Sequence, residues 1–398
     1  MTIIDDDTTT HTTANPTSTD SLRSHDTSDR FVPWAGEIGA AIAEYSARHD
    51  RDGTFVTEAF DLLRSSGYLA LPVPAELGGH GATVAEVTRA QAELGRHCAS
   101  TALASSMHLH VVATNAHRWR HGQTQVEPML KRVANEAIVV VSTGGTDGAF
   151  PTGTAVRVDD GWRVSGRKTF ASQAPVGDVV ATWFPTEGPG EREVLGMGIP
   201  LSAPGLELVE TWDTLGMRGT GSHDLVFTDV FVADKQVSAR RPYGELDPLL
   251  RLSYINAMTI VAGAYWGVAE RAAMLALDGA RAKADRATAV TARLAGAIEA
   301  ERATMRWSML GLLQDLGPDP HDTEENLVSV MLAKRTVAER GLAVADLAME
   351  LASGPSYFRT RPLEQCWRDL RAAKYHPWTP ETTLHQVGRV ALGLPAEP

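Results

Sequence analysis

Thirteen histidines are spread through the 398 residues, and two of them, His108 and His110, stand together in the run SSMHLHVVAT. Imidazole, with an ordinary pKa near 6.5, is the side chain best suited to give or take a proton near neutrality. Positions i and i+2 of a helix do not share a face, so these two are not expected to hold one metal ion, and one of them is expected to face inward. The two cysteines, Cys98 and Cys366, lie far apart without CxxC spacing. They indicate neither a disulfide framework nor a thiolate zinc site, and they fit a reducing cytosol. No Rossmann GxGxxG and no Walker A run occurs, so the chain is not expected to bind a nicotinamide dinucleotide itself. What remains for chemistry is a set of hydroxyl- and glycine-rich segments: Val141-Ser142-Thr143, Thr169-Phe170-Ala171-Ser172 and MRGTGSHD.

Those segments need a scaffold, and the chain is long enough to build one. Its 398 residues exceed what a single hydrophobic core usually serves, so two or three packed units are expected. Hydrophobic residues make up 43% and charged residues 22%, an ordinary balance for a globular protein. No run approaches the roughly 20 apolar residues of a membrane span, so an integral membrane protein is not expected. With 37 Lys plus Arg against 49 Asp plus Glu the formal charge is -12, and no general field draws nucleic-acid phosphates.

Residues 1–30 are acidic, rich in Thr and Ser, and lack the basic start and apolar core of a secretory signal; they read as a disordered tail. Over residues 31–137, Ala-rich segments carry apolar residues at helical spacing. Over 138–237 the pattern changes to short β-branched runs parted by Gly, Asp and Pro. There TAVRV, Asp159-Asp160 and GWRVSG read as a hairpin in which Gly161 supplies the positive φ. Long helical patterns return over 238–398. The fold class is therefore α+β in the order helix, strand, helix, with an N-terminal helical domain, a middle antiparallel β-sandwich or barrel, and C-terminal helices.

Four motifs, in order, resemble the acyl-CoA dehydrogenase superfamily: GYLALPVPAELGGHG from Gly67, GRKTFASQAPVGDVV from Gly166, WDTLGMRGTGSHDLVFTDVFV from Trp212 and LASGPSYFRTRPLEQCWRDLRAAKYH from Leu351. The resemblance runs from about Phe31 to about Leu394. It implies a C-terminal four-helix bundle, a flavin cofactor (FMN or FAD), a small-molecule substrate, and a homotetramer or homodimer. Flavin chemistry needs an apolar slot with donors aimed at the ring edge where negative charge develops on reduction. By the resemblance, Ser142, Thr143, Thr169, Phe170 and Ser172 are flavin contacts at strand ends. Arg218 and Ser222 lie in a tight loop against the cofactor or a neighbouring subunit, and Gly354 and Tyr357 reach the flavin dinucleotide of another subunit.

The departures from the family pattern are equally informative. A dehydrogenase of this type takes an α-proton from a thioester with a carboxylate, which must lie beside the substrate carbon. In most members that Glu stands nine residues after the Arg of the Arg-Asp motif, and counting from Arg368 the place is held by Pro377. The alternative place, on the first long helix after the β-unit, reads SYINAMTI and has no carboxylate, which leaves Glu381 as a substitute. Eight residues after Arg368 stands His376. A histidine there resembles the flavin-dependent monooxygenase branch, of the dibenzothiophene monooxygenase kind, whose members receive reduced flavin as a co-substrate from a separate reductase. By that resemblance His376 is the catalytic proton carrier, with Ser172 and His108, which aligns better than His110, beside it. The family's Arg-x-x-Phe-Gly, which meets the pyrophosphate and adenine of FAD, is absent; RAKADRATAVTARLAG offers Arg281 and Arg286. Trp119, Tyr265 and Trp378 are expected to give an aromatic pocket. A two-component monooxygenase is the preferred function, ahead of a dehydrogenase using Glu381 and of a noncatalytic flavin-fold scaffold.

Overall fold

The computed structural model describes residues 29–145, 147–188 and 191–397. The expected disordered tail lies outside them apart from Asp29 and Arg30, and Asp29 pairs with Arg89 at 2.9 Å.

The described chain opens with α1 Val32–Asp52, α2 Thr57–Ser66, α3 Val84–Gly95, α4 Ala99–Arg120 and α5 Glu127–Glu136. Their ends follow local chemistry. Gly53 closes α1 at φ 68°, in the left-handed region that glycine tolerates. At α3 the Thr83 hydroxyl accepts from the Glu86 N–H while the Glu86 carboxylate accepts from the Thr83 N–H, a reciprocal cap. Helix α4 is buried on nearly every face, so its apolar period is weak.

Eight strands follow among the described residues: β1 Val140–Ser142, β2 Thr154–Val158, β3 Gly161–Ala171, β4 Val179–Glu187, β5 Glu193–Pro200, β6 Leu206–Val209, β7 His223–Ala233 and β8 Val237–Pro242. They run in the order β6-β7-β3-β2-β4-β5-β8, with β1 paired to β4. The sheet is mixed and not wholly antiparallel as expected, because β1 and β2 each reach β4 through crossovers that leave the pairs parallel. The hairpin at 159–160 forms, but the positive φ, 60°, belongs to Asp160. Gly161 is a paired strand residue, needed for a close approach: a Cβ there would lie 2.3 Å from the Val232 oxygen. Strand β8 carries the sheet to Pro242, past the expected boundary at 237/238; as an edge strand bearing an exposed Arg240 it lacks the apolar alternation that marks the others.

The C-terminal unit comprises α6 Pro248–Arg281, α7 Ala289–Leu316, α8 Glu324–Ala352, α9 Pro362–Arg371 and α10 Pro380–Ala391. Helices α6 to α9 pack on one another as a four-helix bundle, with α10 against α8. Helix α6 is long and apolar enough to cross a membrane, yet it is the central core helix, packed against α3, α4, α8 and α9. The α3–α6 seam is backbone against backbone, since a Cβ on Gly267 would stand 1.9 Å from the Ala92 oxygen.

Inside the β-unit, Lys168 and Asp147 form a fully buried ion pair at 2.7 Å. The ammonium also donates to the backbone oxygens of Thr152 and Trp183, at 2.6 Å each, so every donor is used. Breaking one side strands a buried charge. Asp147→Ala is expected to lower unfolding free energy by about 3–5 kcal/mol in urea titrations, and Asp147→Ala/Lys168→Met to recover most of that loss. A double variant no more stable than the single one would refute this account of the pair.

Candidate active site

A cavity of about 580 Å³ opens where the three units meet. Leu103, Met107 and His110 of α4 form one wall, and Ser142, Phe170, Ser172 and Trp183 of the β-unit form another. The loop from Trp212 to Ser222, the start of α6 around Tyr254, and the segment from Arg368 to Pro377 close it. Its size and its mostly apolar lining with a few converging polar groups suit a ligand site. Phe170 is 55% exposed, meeting Trp212 edge-on at 5.8 Å and leaving a broad aromatic face toward the cavity.

His376 lines the cavity, and its Nε2 lies 2.8 Å from the Tyr265 hydroxyl. The buried hydroxyl has no other partner among the described residues, so the bond is satisfied when Tyr265 donates and Nε2 accepts. The ring proton then sits on Nδ1. Lys334 of α8 fixes the same segment from behind, donating to the backbone oxygens of His376 at 2.7 Å and Trp378 at 2.6 Å. Burial, with the Lys334 charge second, pushes the His376 pKa down to about 3, so the imidazole is neutral. Burial likewise pushes Lys334 down to about 8.

The structure brings His110 into the cavity and keeps His108 out of it. His108 is fully buried, donating from Nε2 to the Leu69 oxygen at 2.9 Å and accepting at Nδ1 from the Val140 N–H at 2.9 Å. Both nitrogens are consumed in joining α4 to its neighbours. His110 lies 3.1 Å from the Ser142 hydroxyl, and its Nδ1 is buried without a partner. An unpaired lone pair is tolerated better than an unpaired N–H, so Nε2–H donates to Ser142 and the hydroxyl proton of Ser142 is free to donate elsewhere. Across the cavity, Thr220 donates to the Met217 oxygen at 3.0 Å, Ser222 lies 2.8 Å from Thr220, and Ser172 lies 2.8 Å from Ser222. With Thr220 committed, each hydroxyl donates down the chain, and Ser172 is left with lone pairs to offer.

Other residues named from sequence lie elsewhere. Thr143 stands behind the wall, bonding Asp147 and Thr182, and Thr169 does not line the cavity. Arg218 points away, donating to the backbone oxygens of Asp50 and Thr214. Gly354 and Tyr357 are exposed beyond the end of α8, Arg281 is exposed as the last residue of α6, and Arg286 is exposed on the α6–α7 connection. Trp119 bonds Glu127, Tyr265 is buried behind His376, and Trp378 is buried, so the aromatic lining comes instead from Phe170, Trp183, Trp212, Tyr254 and Tyr375. Glu381 is exposed on α10, outside the lining.

Residues 38–136 match the acyl-CoA dehydrogenase N-terminal domain and residues 142–230 its middle domain. The chain is 30% identical over 392 residues to YdbM of Bacillus subtilis, a protein assigned to the acyl-CoA dehydrogenases, covering 92% of this chain and 98% of that one. It is 30% identical over 383 residues to L-evernosamine nitrososynthase of a Micromonospora species, covering 90% and 89%. The solved structure of KijD3 with FMN and dTDP-3-amino-2,3,6-trideoxy-4-keto-3-methyl-D-glucose matches with a TM-score of 0.87 at 28% identity, over 94% of this chain and 96% of that one. The chain belongs to the acyl-CoA dehydrogenase family and is a flavin-dependent oxidoreductase. The residues present fit a flavin: the open face of Phe170 offers a plane for a flat ring, and Ser142 and Ser172 supply a donor and an acceptor beside it.

The buried imidazoles make stability depend on pH. Burial lowers His108 and His110 to about 4 each, below the ordinary 6.5. Between those values the unfolded chain takes up protons that the folded one refuses, so stability is full above about pH 6.5 and falls toward pH 4, by about 3 kcal/mol for His108. His108→Gln is expected to be less stable at pH 7.5 but to lose less between pH 6.5 and 4, as measured by urea unfolding across pH. Parallel curves for variant and parent would remove His108 from this account.

Proposed function

We propose that this oxidoreductase is a two-component monooxygenase that accepts reduced flavin from a separate reductase and uses oxygen on a small organic amine. One observation carries the reading. Among the described residues the cavity is lined by one carboxylate, Asp147, which is committed to Lys168, whereas two neutral imidazoles face the same space. A dehydrogenase needs a free carboxylate against the substrate carbon. Glu381, the substitute considered from sequence, is on the outer surface of α10.

Reduced flavin, when bound, supplies two electrons to oxygen. One oxygen atom enters the amine N–H to give a hydroxylamine, and the other leaves as water with the two hydrogens of the reduced flavin. The chain's own part is to hold protons and exclude bulk water. His376 presents Nδ1–H, steadied by Tyr265 and Lys334. Ser142, oriented by His110, presents a second donor, and Ser172 an acceptor. The names of the relatives favour nitrogen as the atom oxygenated: besides the nitrososynthases, isobutylamine N-hydroxylase of Streptomyces viridifaciens is 26% identical over 332 residues. FMN is preferred to FAD because the Phe-Gly that meets adenine is absent and Arg281 and Arg286 are outside the cavity lining. A homodimer or homotetramer would give Gly354 and Tyr357 their partner site, and the two buried free cysteines agree with a reducing cytoplasm.

The test uses full-length protein with FMN. Under nitrogen, acyl-CoA thioesters are expected to leave the flavin absorbance unchanged; bleaching without a reductase would overturn the proposal. With NADH, a flavin reductase and isotopically labelled oxygen gas, a panel of primary amines is expected to yield labelled hydroxylamine. His376→Ala is expected to reduce labelled product by about 10²-fold or more while oxygen uptake continues. Unchanged product per oxygen consumed would take His376 out of the mechanism.

A further inference from the structure

The end of α4 carries a second pair of histidines, outside the cavity lining and unused by the chemistry above. His117 and His121 stand at i and i+4, and their rings stack with centroids 4.1 Å apart. The connection between α7 and α8 brings Asp319 against them. Its Oδ1 lies 2.9 Å from His117 Nδ1 and accepts from Arg120 at 2.6 Å, while its Oδ2 lies 3.8 Å from His121 Nε2. One ligand atom from each of the three side chains lies within 4.8 Å of the other two.

The orientation of the His121 ring adds a second observation. His121 Nδ1 lies 2.9 Å from the backbone oxygen of His117, and a carbonyl only accepts, so that nitrogen carries the proton. The nitrogen turned toward Asp319 Oδ2 is therefore Nε2, 3.8 Å away. The outer N–H bonded to a backbone carbonyl is also the orientation that metal-bound imidazoles adopt.

We infer that His117, His121 and Asp319 form a binding site for a borderline divalent cation of the zinc, cobalt and nickel class. Two imidazoles and one carboxylate suit those ions, whereas magnesium and calcium prefer all-oxygen shells. His121 is exposed and the other two half-buried, so water can complete the coordination. Arg120 donates to Oδ1, the oxygen that also meets His117 Nδ1, and orients the carboxylate; its charge lowers the affinity without occupying Oδ2. A cation here would tie the end of α4, the helix that also carries His110, to the α7–α8 connection.

The test is calorimetric titration of chelator-treated full-length protein with zinc sulfate, paralleled by cobalt(II) absorption. The expected result is a site whose zinc affinity falls at least about tenfold in His121→Ala and in Asp319→Asn, with loss of the visible cobalt bands. His385→Ala, at an exposed histidine of α10, is the control and is expected to leave both unchanged. Zinc is also expected to raise the melting temperature of the parent and not of Asp319→Asn, which preserves shape and guards against a misfolded variant. Equal zinc affinity in the parent and both site variants, or no binding heat at about 1 mM cation, would overturn the inference.

Discussion

The cavity depends on one loop, residues 212–222, being pinned between two helical units by buried charge. Arg368 reaches back to Asp50 of α1 with bonds of 2.9 and 2.6 Å, to Glu364 within α9, and to the Leu215 oxygen of the loop at 3.0 Å. The next residue, Asp369, accepts from the Met217 N–H at 2.5 Å. Complete burial, with Asp50 second, pushes the Asp369 carboxyl up to about 7. Gly216 makes this docking possible, since a Cβ there would lie 2.4 Å from the Arg368 oxygen. The Arg-Asp pair thus acts through geometry: it holds the loop that presents Trp212 and Ser222 to the cavity. Arg218, from the same loop, serves the same end by donating to the Asp50 oxygen of α1.

With the loop fixed, the cavity is close to electrically neutral. Its carboxylate is cancelled by Lys168, the lining guanidiniums are paired, Arg368 with Asp50 and Glu364 and Arg371 with Asp346, the nearby Lys334 ammonium is held by two backbone oxygens, and the imidazoles are held uncharged by burial. In such surroundings hydrogen bonds are strong and unpaired charge is expensive. That environment favours proton placement by oriented dipoles. It disfavours pulling a proton from carbon with no anionic base at hand, so the empty carboxylate positions and the neutral lining agree.

Much of this was legible in the sequence, for reasons that are themselves physical. The loop at 212–222 is recognisable because close packing, against backbone at Gly216 and against side chains at Gly219 and Gly221, demands small residues, and that demand leaves a fixed spacing. His376 is legible through its spacing from Arg368, eight residues on, just past the end of α9. The choice between His108 and His110 is not, because α4 is surrounded by protein and offers no polar face to set the direction. Aromatic type alone likewise gives no direction: Tyr265 and Trp378 are buried and Trp119 half-buried outside the lining, while Trp212 and Tyr254 line the cavity. Lys334 and Tyr265 support His376 from 42 and 111 residues away, a separation that no local pattern encodes.

That remote support decides what His376 can do. A free imidazole can turn and offer either nitrogen, but here α6 holds Nε2 through Tyr265 and α8 holds the backbone through Lys334. Nδ1–H is left as the group facing the cavity. With its pKa near 3 the ring cannot store a second proton at neutrality. The Tyr265 hydroxyl, whose pKa burial raises well above the ordinary value, resists giving one up through Nε2. His376 is therefore a committed hydrogen-bond donor in the resting site, one that parts with its proton only when the acceptor opposite is strongly basic. Ser142 is a donor for an analogous reason and Ser172 an acceptor. The polarity of the site is thus set before any ligand arrives, by helices whose sequence separation from the cavity hides their part in it.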